Sequence, residues 1–303
     1  MSFKVKFWGV RGSIACPGPR HVRYGGNTSC VEISLGGERF ILDGGTGIRN
    51  LGHWMLRKDL KRATILFSHT HWDHINGVPF FSPAFRPDRT FHVMAGHLID
   101  QGGIAKVFAG QLENPYFPVP LAAMKARISF EDFHAGETLH LGHGNKIKVR
   151  TAILNHPNGA TGYRFDHNGV SLCYVTDTEH VLGKMDQHIL SLIEGADLVI
   201  YDCTYTDEEF PSKVNWGHST WEEGVRLCRA AGARKLAIFH HDPDHDDEFM
   251  DRVALAAYEA WPGAFIAVEG MSLVLEDFAK KPAPPPQVRS GGERPANQAA
   301  RQR

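Results

Sequence analysis

The sequence predicts a mixed α/β fold. Short apolar runs rich in β-branched and aromatic residues recur along the 303-residue chain and predict buried strands. Segments with helical periodicity, such as Ile48 to Leu60 and Asp247 to Trp261, separate several of these runs. Histidine or aspartate follows many of the predicted strands directly. We therefore expect a strand-rich core with polar, chemically active side chains at the strand ends.

The composition is that of a soluble globular enzyme, with 42% apolar residues, 22% charged residues and a net charge of -1. This charge gives no electrostatic argument for a nucleic acid or membrane partner. The N-terminus lacks the apolar segment of a signal peptide, and no run of about 18 apolar residues could span a bilayer. Five scattered cysteines predict reduced thiols. We therefore expect a cytoplasmic protein.

The N-terminal half alternates strands with turns. Its predicted strands are Phe3 to Trp8, Cys30 to Leu35, Arg39 to Asp43, Ala63 to Ser68 and Phe91 to Ala95. The long segment from Gly9 to Asn27 is either a functional loop or a surface excursion. Within it, Arg11 or Arg23 would hold a phosphate or remain solvated. We interpret residues 97–126 as a lid or insertion with one helix, whose aromatics line a substrate mouth or pack in the core.

The C-terminal half continues the alternation. Its predicted strands are Lys146 to Leu154, Tyr163 to Asp166, Val170 to Thr176, Asp197 to Tyr201, Lys235 to Phe239, Phe265 to Val268 and Ser272 to Leu275. A capping box from Ser219 to Glu222 predicts a helix that ends at Gly232. We assign residues 1–279 to one domain and predict that the proline-rich tail, residues 280–303, is disordered.

The segment His69-Thr70-His71-Trp72-Asp73-His74 holds three histidines and one aspartate just past a predicted strand. One metal ion would take His69 and His71, and a second would take Asp73 and His74. Imidazole with carboxylate suits zinc, with iron or manganese as alternatives. The competing interpretation is a polar loop whose histidines only form hydrogen bonds.

Later strand ends supply further candidate ligands. His156 follows one strand and Asp177 another, and we interpret Asp177 as a bridging ligand rather than the cap of a turn. Either His240 or His241 completes the second metal site, and His240 is favoured because it lies directly at a strand end. Asp43 either supports a ligating histidine or caps the following helix.

A second motif, Gly217-His218-Ser219-Thr220, precedes a predicted helix. A helix N-terminus attracts anions such as phosphate, although a lone histidine there is commonly structural. Asp202 follows a predicted strand and is a second acidic candidate.

The ligand motifs, taken in order, resemble those of the metallo-β-lactamase superfamily. The resemblance covers about residues 3–276. It implies a four-layered αββα sandwich and two metal ions, expected to be Zn²⁺, with Mn²⁺ or Fe as alternatives. It also implies that His69, His71 and His156 bind the first ion, that Asp73, His74 and His240 bind the second, and that Asp177 bridges them. Aspartate at the bridging position argues against true β-lactamases, which usually have cysteine there.

The motif around His218, with Asp202, is similar to the catalytic histidine and its acidic partner in ribonuclease Z and related phosphodiesterases, where the partner is usually glutamate. The resemblance therefore implies that His218 and Asp202 are catalytic residues, with Asp73 as a third candidate. Usual ribonuclease Z enzymes carry a tRNA-binding arm between the third and fourth ligand motifs, and the interval from His156 to Asp177 leaves no room for one. The resemblance therefore implies hydrolysis of a small, cyclic phosphodiester or nucleotide. The alternatives are a thioester or lactone hydrolase of glyoxalase II type, ribonuclease Z-like RNA 3' processing and a non-enzymatic metal sensor. A homodimer is also implied.

Overall fold

The computed structural model describes residues 2–278, which contain fourteen strands and six α-helices. The strands are β1 (Lys4–Gly9), β2 (Cys30–Leu35), β3 (Glu38–Leu42), β4 (Arg62–Phe67), β5 (Thr90–Ala95), β6 (Arg127–Asp132), β7 (Thr138–Leu141), β8 (Ile147–Leu154), β9 (Ala160–His167), β10 (Val170–Val175), β11 (Leu198–Asp202), β12 (Leu236–Phe239), β13 (Ala264–Ile266) and β14 (Ser272–Val274). The helices are α1 (Gly47–Arg57), α2 (Trp72–Ile75), α3 (Ile104–Gln111), α4 (Gln187–Ile193), α5 (Trp221–Ala230) and α6 (Asp247–Ala260). The predicted tail, residues 280–303, lies outside the described residues.

Two seven-stranded sheets face each other. The first has the order β14-β1-β2-β3-β4-β5-β6 and the second has the order β13-β12-β11-β10-β9-β8-β7. Their inner faces share one apolar core, in which the rings of Phe40 and Phe165 lie 5.2 Å apart. This burial follows from the alternation of apolar residues in the strands, because removing apolar surface from water is the main driving force for folding.

Helices cover the outer face of each sheet. On the first sheet, α1 and α3 bury Ile48, Leu51 and Phe108 against β4 and β5. On the second, α4, α5 and α6 bury a separate apolar cluster against β10 to β12. The layers therefore run helix, sheet, sheet, helix, which confirms the predicted αββα sandwich. All five cysteines are free and buried. None of the helices within residues 2–278 has the length and apolar character needed to cross a bilayer.

Parallel pairing determines where the polar strand ends meet. In the first sheet β3, β4, β5 and β6 are parallel neighbours, and in the second β10, β11, β12 and β13 are. The carboxyl ends of parallel strands share one edge of a sheet, and ligands bind preferentially at such edges in α/β proteins. The residues that follow β3, β4, β10, β11 and β12 are therefore brought to one rim of the sandwich.

Several elements differ from the prediction. The strands β6 and β7 and the helices α2 and α4 were not predicted, since they are short or half-exposed and lack an apolar run. The predicted capping box is displaced by one residue, because Thr220 is the N-cap of α5 and accepts a hydrogen bond from the backbone N–H of Glu223. Ser219 instead accepts a hydrogen bond from the hydroxyl of Tyr201. Within residues 97–126, α3 connects the parallel strands β5 and β6 and packs on the first sheet.

Candidate metal and catalytic site

Three residues that follow strands at the shared rim have a left-handed backbone. Asp43, Asp177 and His240 have φ values of 62°, 60° and 63°, which non-glycine residues rarely adopt. Such conformations cost free energy and cluster at functional sites. In each case the chain reverses directly after the strand, so that the side chain lies over the sheet edge and is buried. The local strain therefore coincides with the convergence of the predicted ligands.

Three histidines form one half of the cluster. The Nδ1 atom of His71 lies 3.0 Å from Nε2 of His156, and the ring centres of His69 lie 4.5 Å and 4.6 Å from those of His71 and His156. Their inward nitrogens all lie within 4.8 Å of one another. The Nε2 atom of His69 is buried and has no hydrogen-bond partner among the described residues.

Asp73, His74 and His240 form the other half. The Nε2 atoms of His74 and His240 lie 3.3 Å apart, and Oδ2 of Asp73 lies 3.2 Å from each of them. Asp73 and His74 lie in α2, which turns the chain immediately after His71. The two residues therefore reach the rim from a helical turn and not from the end of β4, which stops at Phe67.

Asp177 lies between the two halves. Its Oδ2 is 3.2 Å from Nε2 of His74, and its Oδ1 is 3.4 Å from Nε2 of His240. The same Oδ1 lies 3.7 Å from Nε2 of His69 and 3.9 Å from Nε2 of His156. One carboxylate thus faces both groups of imidazoles.

The outward nitrogens of four histidines have fixed partners. His74 donates from Nδ1 to Asp43 at 2.9 Å, and His156 donates from Nδ1 to the carbonyl of Gly217 at 2.7 Å. The Nδ1 atoms of His69 and His240 face the hydroxyls of Ser68 and Thr204 at 3.1 Å and 3.0 Å. Each partner holds the tautomer in which Nε2 carries a lone pair directed inward. Of the two alternatives for Asp43, the contact with a candidate ligand, His74, is the one present, and α1 has no side-chain cap.

This donor set fits divalent metal ions. Burial lowers the pKa of His69, so that its imidazole is neutral, while nearby histidines outweigh the burial of Asp73 and Asp177 and hold the pKa of each carboxyl well below its usual range. Inward lone pairs and two anionic carboxylates in one buried cluster repel one another, and cations between them would remove that repulsion. Nitrogen and carboxylate donors suit zinc, iron or manganese.

His218 and Asp202 lie beside the cluster. The Nδ1 atom of His218 is 3.0 Å from Oδ2 of Asp202 and 3.7 Å from Oδ1 of Asp177. Burial opposes a charge on this imidazole, but Asp202 and the other carboxylates outweigh it and raise the pKa of His218 to about 9. Asp202 also accepts the hydroxyl of Thr204, whose oxygen faces His240. Asp202 therefore lies at hydrogen-bond distance from His218, although its side chain is shorter than that of glutamate.

Two residues outside the predicted ligands shape the site. Glu179 accepts backbone N–H groups from Asn215 and Gly217 at 2.9 Å and 2.8 Å, which holds the loop before His218. The N–H of Ser13 donates to Oδ2 of Asp73 at 2.8 Å. The signals available in the sequence were the position of Glu179 two residues after Asp177 and the Gly-Ser pair at the start of the long loop.

Two glycines meet steric requirements at the site. Gly217 has a φ of 84°, and a Cβ there would lie 2.6 Å from Nδ1 of His156. A Cβ on Gly12 would lie 2.4 Å from the imidazole of His240. Both contacts are shorter than non-bonded atoms tolerate, so these positions accept only glycine without rearrangement.

Other candidate residues lie outside the cluster. His241 points to the opposite side of its strand, where its Nε2 faces the carbonyl of Ala267 at 2.9 Å, and burial lowers its pKa to about 3. Arg11 is fully buried and donates to the carbonyls of Gly25 and His245, so it neither holds a phosphate nor is solvated. Arg23 pairs with Asp247 and Asp251 on the surface of α6.

Comparison with known proteins identifies the class to which this fold and site belong. The Beta-lactamase superfamily domain matches residues 38–241, which is more than half of the chain. Ribonuclease Z from Azobacteroides pseudotrichonymphae genomovar. CFP2 is 23% identical over 289 residues, which cover 86% of this chain and 95% of that protein.

Solved structures agree with this match. The metallo-beta-lactamase fold protein YhfI from Bacillus subtilis has a TM-score of 0.67 at 19% identity, covering 89% of this chain and 98% of that one. A diphosphatase from the PhnP family has a TM-score of 0.62 at 18% identity, covering 89% and 97%. The chain belongs to the β-lactamase superfamily. The predictions of this superfamily, of its ribonuclease Z-like branch and of an enzyme of hydrolase type are confirmed.

Proposed function

We propose that the protein is a dinuclear metal-dependent phosphodiesterase that hydrolyses a small phosphodiester or nucleotide. His69, His71 and His156 would hold the first ion, and Asp73, His74 and His240 the second, with Asp177 shared between them. The arrangement of seven converging donors in two groups supports this assignment. Zn²⁺ is the expected ion.

The observation that carries the proposal is the pair of His218 and Asp202, 3.0 Å apart at the edge of the donor cluster. Divalent ions bound in the cluster would lower the pKa of a water molecule and offset charge on phosphoryl oxygens. Asp202 accepts a hydrogen bond from Nδ1–H of His218. The second ring nitrogen, Nε2, is then free to carry the proton that an alkoxide leaving group needs. A thioester releases a thiolate, which needs such a proton donor less than an alkoxide does, so the pair favours phosphodiesters over thioesters.

The test compares His218→Ala with His92→Ala, a histidine on the outer part of β5 whose side chain is 33% exposed. We expect His218→Ala to keep the metal content and to lower kcat on a 2',3'-cyclic nucleotide, whose leaving group is an alkoxide, by about a hundredfold or more, the usual contribution of a general acid. The loss on bis(p-nitrophenyl) phosphate should be smaller, because p-nitrophenolate leaves without a proton. His92→Ala should keep wild-type kcat. Unchanged turnover of the cyclic nucleotide by His218→Ala would refute the assignment. Faster hydrolysis of S-lactoylglutathione than of any phosphodiester would refute it as well.

An RNA substrate is the second candidate, because a relative that the chain matches over most of its length is named ribonuclease Z. Against it, the interval from His156 to Asp177 is filled by the hairpin of β9 and β10, which turns at Asn168 and Gly169. A screen of 2',3'-cyclic nucleotides, cyclic dinucleotides and a precursor tRNA, with each candidate metal, separates the two substrates. Efficient cleavage of the precursor alone would favour RNA processing. The homodimer stays a prediction.

A further inference from the structure

A groove of about 690 Å³ lies away from the donor cluster, between β1, α1 and the loop that the sequence singled out. Lys6 and Trp8 of β1 line its floor, and one wall is lined by Ala15 to Gly18, His21, Val22 and Gly25 to Asn27. None of the seven candidate metal ligands, nor His218 or Asp202, lines it. A volume of this size suits a small molecule.

The opposite wall is one face of α1. Asn50, His53 and Arg57 line the groove at spacings of three and four residues, which places them in a row along the helix. Polar and basic residues on this face of α1 lie away from the core, as is typical of an amphipathic helix, and are therefore available to solvent or to a ligand. The row ends in the guanidinium of Arg57, close to the ammonium of Lys6.

These two cations share the groove, and Glu32, the carboxylate opposite Lys6 in the sheet, pairs with Arg39 and with Nε1 of Trp8 instead. The Nζ atom of Lys6 lies 3.9 Å from the ring centre of Trp8, which holds it in position. Within residues 2–278, Lys6 and Arg57 form no salt bridge with any carboxylate. Burial and the nearby guanidinium of Arg57 lower the pKa of Lys6, as expected for two like charges that are partly removed from water.

The one carboxylate in the lining is already engaged. Glu269 accepts hydrogen bonds from the side-chain amide and the backbone N–H of Asn27 at 2.7 Å and 3.2 Å. These hydrogen bonds hold the carboxylate of Glu269 on the loop side of the groove, and Asn27 itself carries no charge. The remaining lining therefore has an excess of positive charge, which an anion would neutralise.

We propose that this groove binds a small phosphate-bearing molecule, with its phosphate between Lys6 and Arg57. Amide and imidazole groups of Asn50 and His53 are suited to the remaining phosphate oxygens or to a neighbouring hydroxyl. This site is separate from the proposed phosphodiesterase site and does not depend on it.

The loop that forms the groove wall begins at the donor cluster. Gly12 packs on the imidazole of His240, and the N–H of Ser13 donates to Asp73, only two residues before Ala15 enters the groove lining. Occupation of the groove therefore restrains the same loop that orients two of the candidate ligands. The groove is placed to influence the second metal position.

Isothermal titration calorimetry on the full chain tests this site, with inorganic phosphate and adenosine 5'-monophosphate as probes. EDTA is present to remove metal ions, so that neither probe can bind through a metal ion. We expect saturable binding by the wild type and at least tenfold weaker binding by Arg57→Gln and by Lys6→Gln/Arg57→Gln. The matched control is Lys58→Gln, which removes a charge next to Arg57 but outside the lining and should bind as the wild type does.

Backbone and indole NMR shifts give a second readout. Probe-dependent shifts should fall on Trp8 and on the loop from Ala15 to Asn27. No saturable binding by the wild type overturns the proposal, as does unchanged affinity in folded Arg57→Gln. Binding of inorganic phosphate but not of the nucleotide would identify a simple anion site and retain the proposed phosphate chemistry. Because the metal is chelated throughout, these results do not depend on whether the enzyme is a phosphodiesterase.

Discussion

Replacing Asp43 by asparagine isolates the contribution of the residue behind His74. Asp43 is fully buried and accepts four hydrogen bonds, from the N–H and hydroxyl of Ser68, from the hydroxyl of Tyr174 and from Nδ1 of His74, at 2.7 to 2.9 Å. Three of these donors share Oδ2. An asparagine amide has one oxygen, so its NH₂ group must face at least one donor whichever way it is turned.

The loss can be estimated from these contacts. A hydrogen bond to a charged group contributes about 1.5 to 3 kcal/mol, so losing one in Asp43→Asn predicts about 2 kcal/mol of stability. Mutation of a group that orients a ligating histidine typically weakens metal binding by about 10- to 100-fold. We expect this weakening of metal binding for the ion that His74 would hold. The effect should be smaller for the ion that His71 and His156 would hold, because Asp43 contacts neither of these histidines.

Metal competition with a chromophoric chelator measures both affinities, and urea unfolding of the metal-free protein measures stability. The control is Asp197→Asn, which also removes the charge of a buried carboxylate that accepts from the N–H and hydroxyl of a serine, Ser171, but lies far from the cluster. Asp197→Asn should lose stability and keep both metal affinities. If Asp43→Asn behaves in the same way, Asp43 is structural and the reasoning fails.

Three further predictions concern the loop before His218 and the start of α5. Gly217→Ala places a Cβ against His156 and should remove the first metal ion, measured as metal content by mass spectrometry. Glu179→Gln loses one of two accepted N–H groups and should lower kcat while metal content is retained, because the loop before His218 loosens. Burial and a neighbouring aspartate raise the pKa of Glu222 from 4.5 to about 7, so the unfolded chain releases this proton first and stability falls as pH rises from 4.5 to 7. At pH 8, urea unfolding of Glu222→Gln should therefore give a free energy of unfolding about 1 kcal/mol higher than that of the wild type, after allowance for solvent screening. At pH 4 the two proteins should have the same free energy of unfolding.

The strand ends could be predicted because they combine two local signals. An apolar run identifies the strand, and a histidine or aspartate directly after it has no structural reason to be there, as with His69, Asp177 and His240. Parallel pairing then brings such residues together without further sequence information. This rule does not extend to all donors, because His156 follows β8, which pairs antiparallel with β7 and β9, and Asp73 and His74 lie in the short helix α2.

Contacts between distant segments could not be predicted in this way. The side chain of Arg11 donates to the carbonyls of Asp242 and His245, more than 200 positions away in the chain, and nothing near it in the sequence distinguishes it from a solvated arginine. Strand β6 alternates exposed and half-buried residues at the end of a sheet, so its apolar signal is weak. Glu179 accepts from the backbone N–H groups of Asn215 and Gly217, 36 and 38 positions away, and the side chains at those positions do not reveal this contact.

The hydrogen bonds of Asp202 determine which variant tests the chemistry. Its Oδ2 faces His218, and its Oδ1 accepts the hydroxyl of Thr204, whose oxygen faces Nδ1 of His240 at 3.0 Å. One carboxylate thus supports both the proposed general acid and a ligand of the proposed second ion. Asp202→Ala should lower metal affinity and turnover together, whereas His218→Ala should lower turnover alone. A comparison of metal content and kcat in the two variants separates proton transfer from metal binding, and equal metal loss in both would show that His218 is itself a ligand.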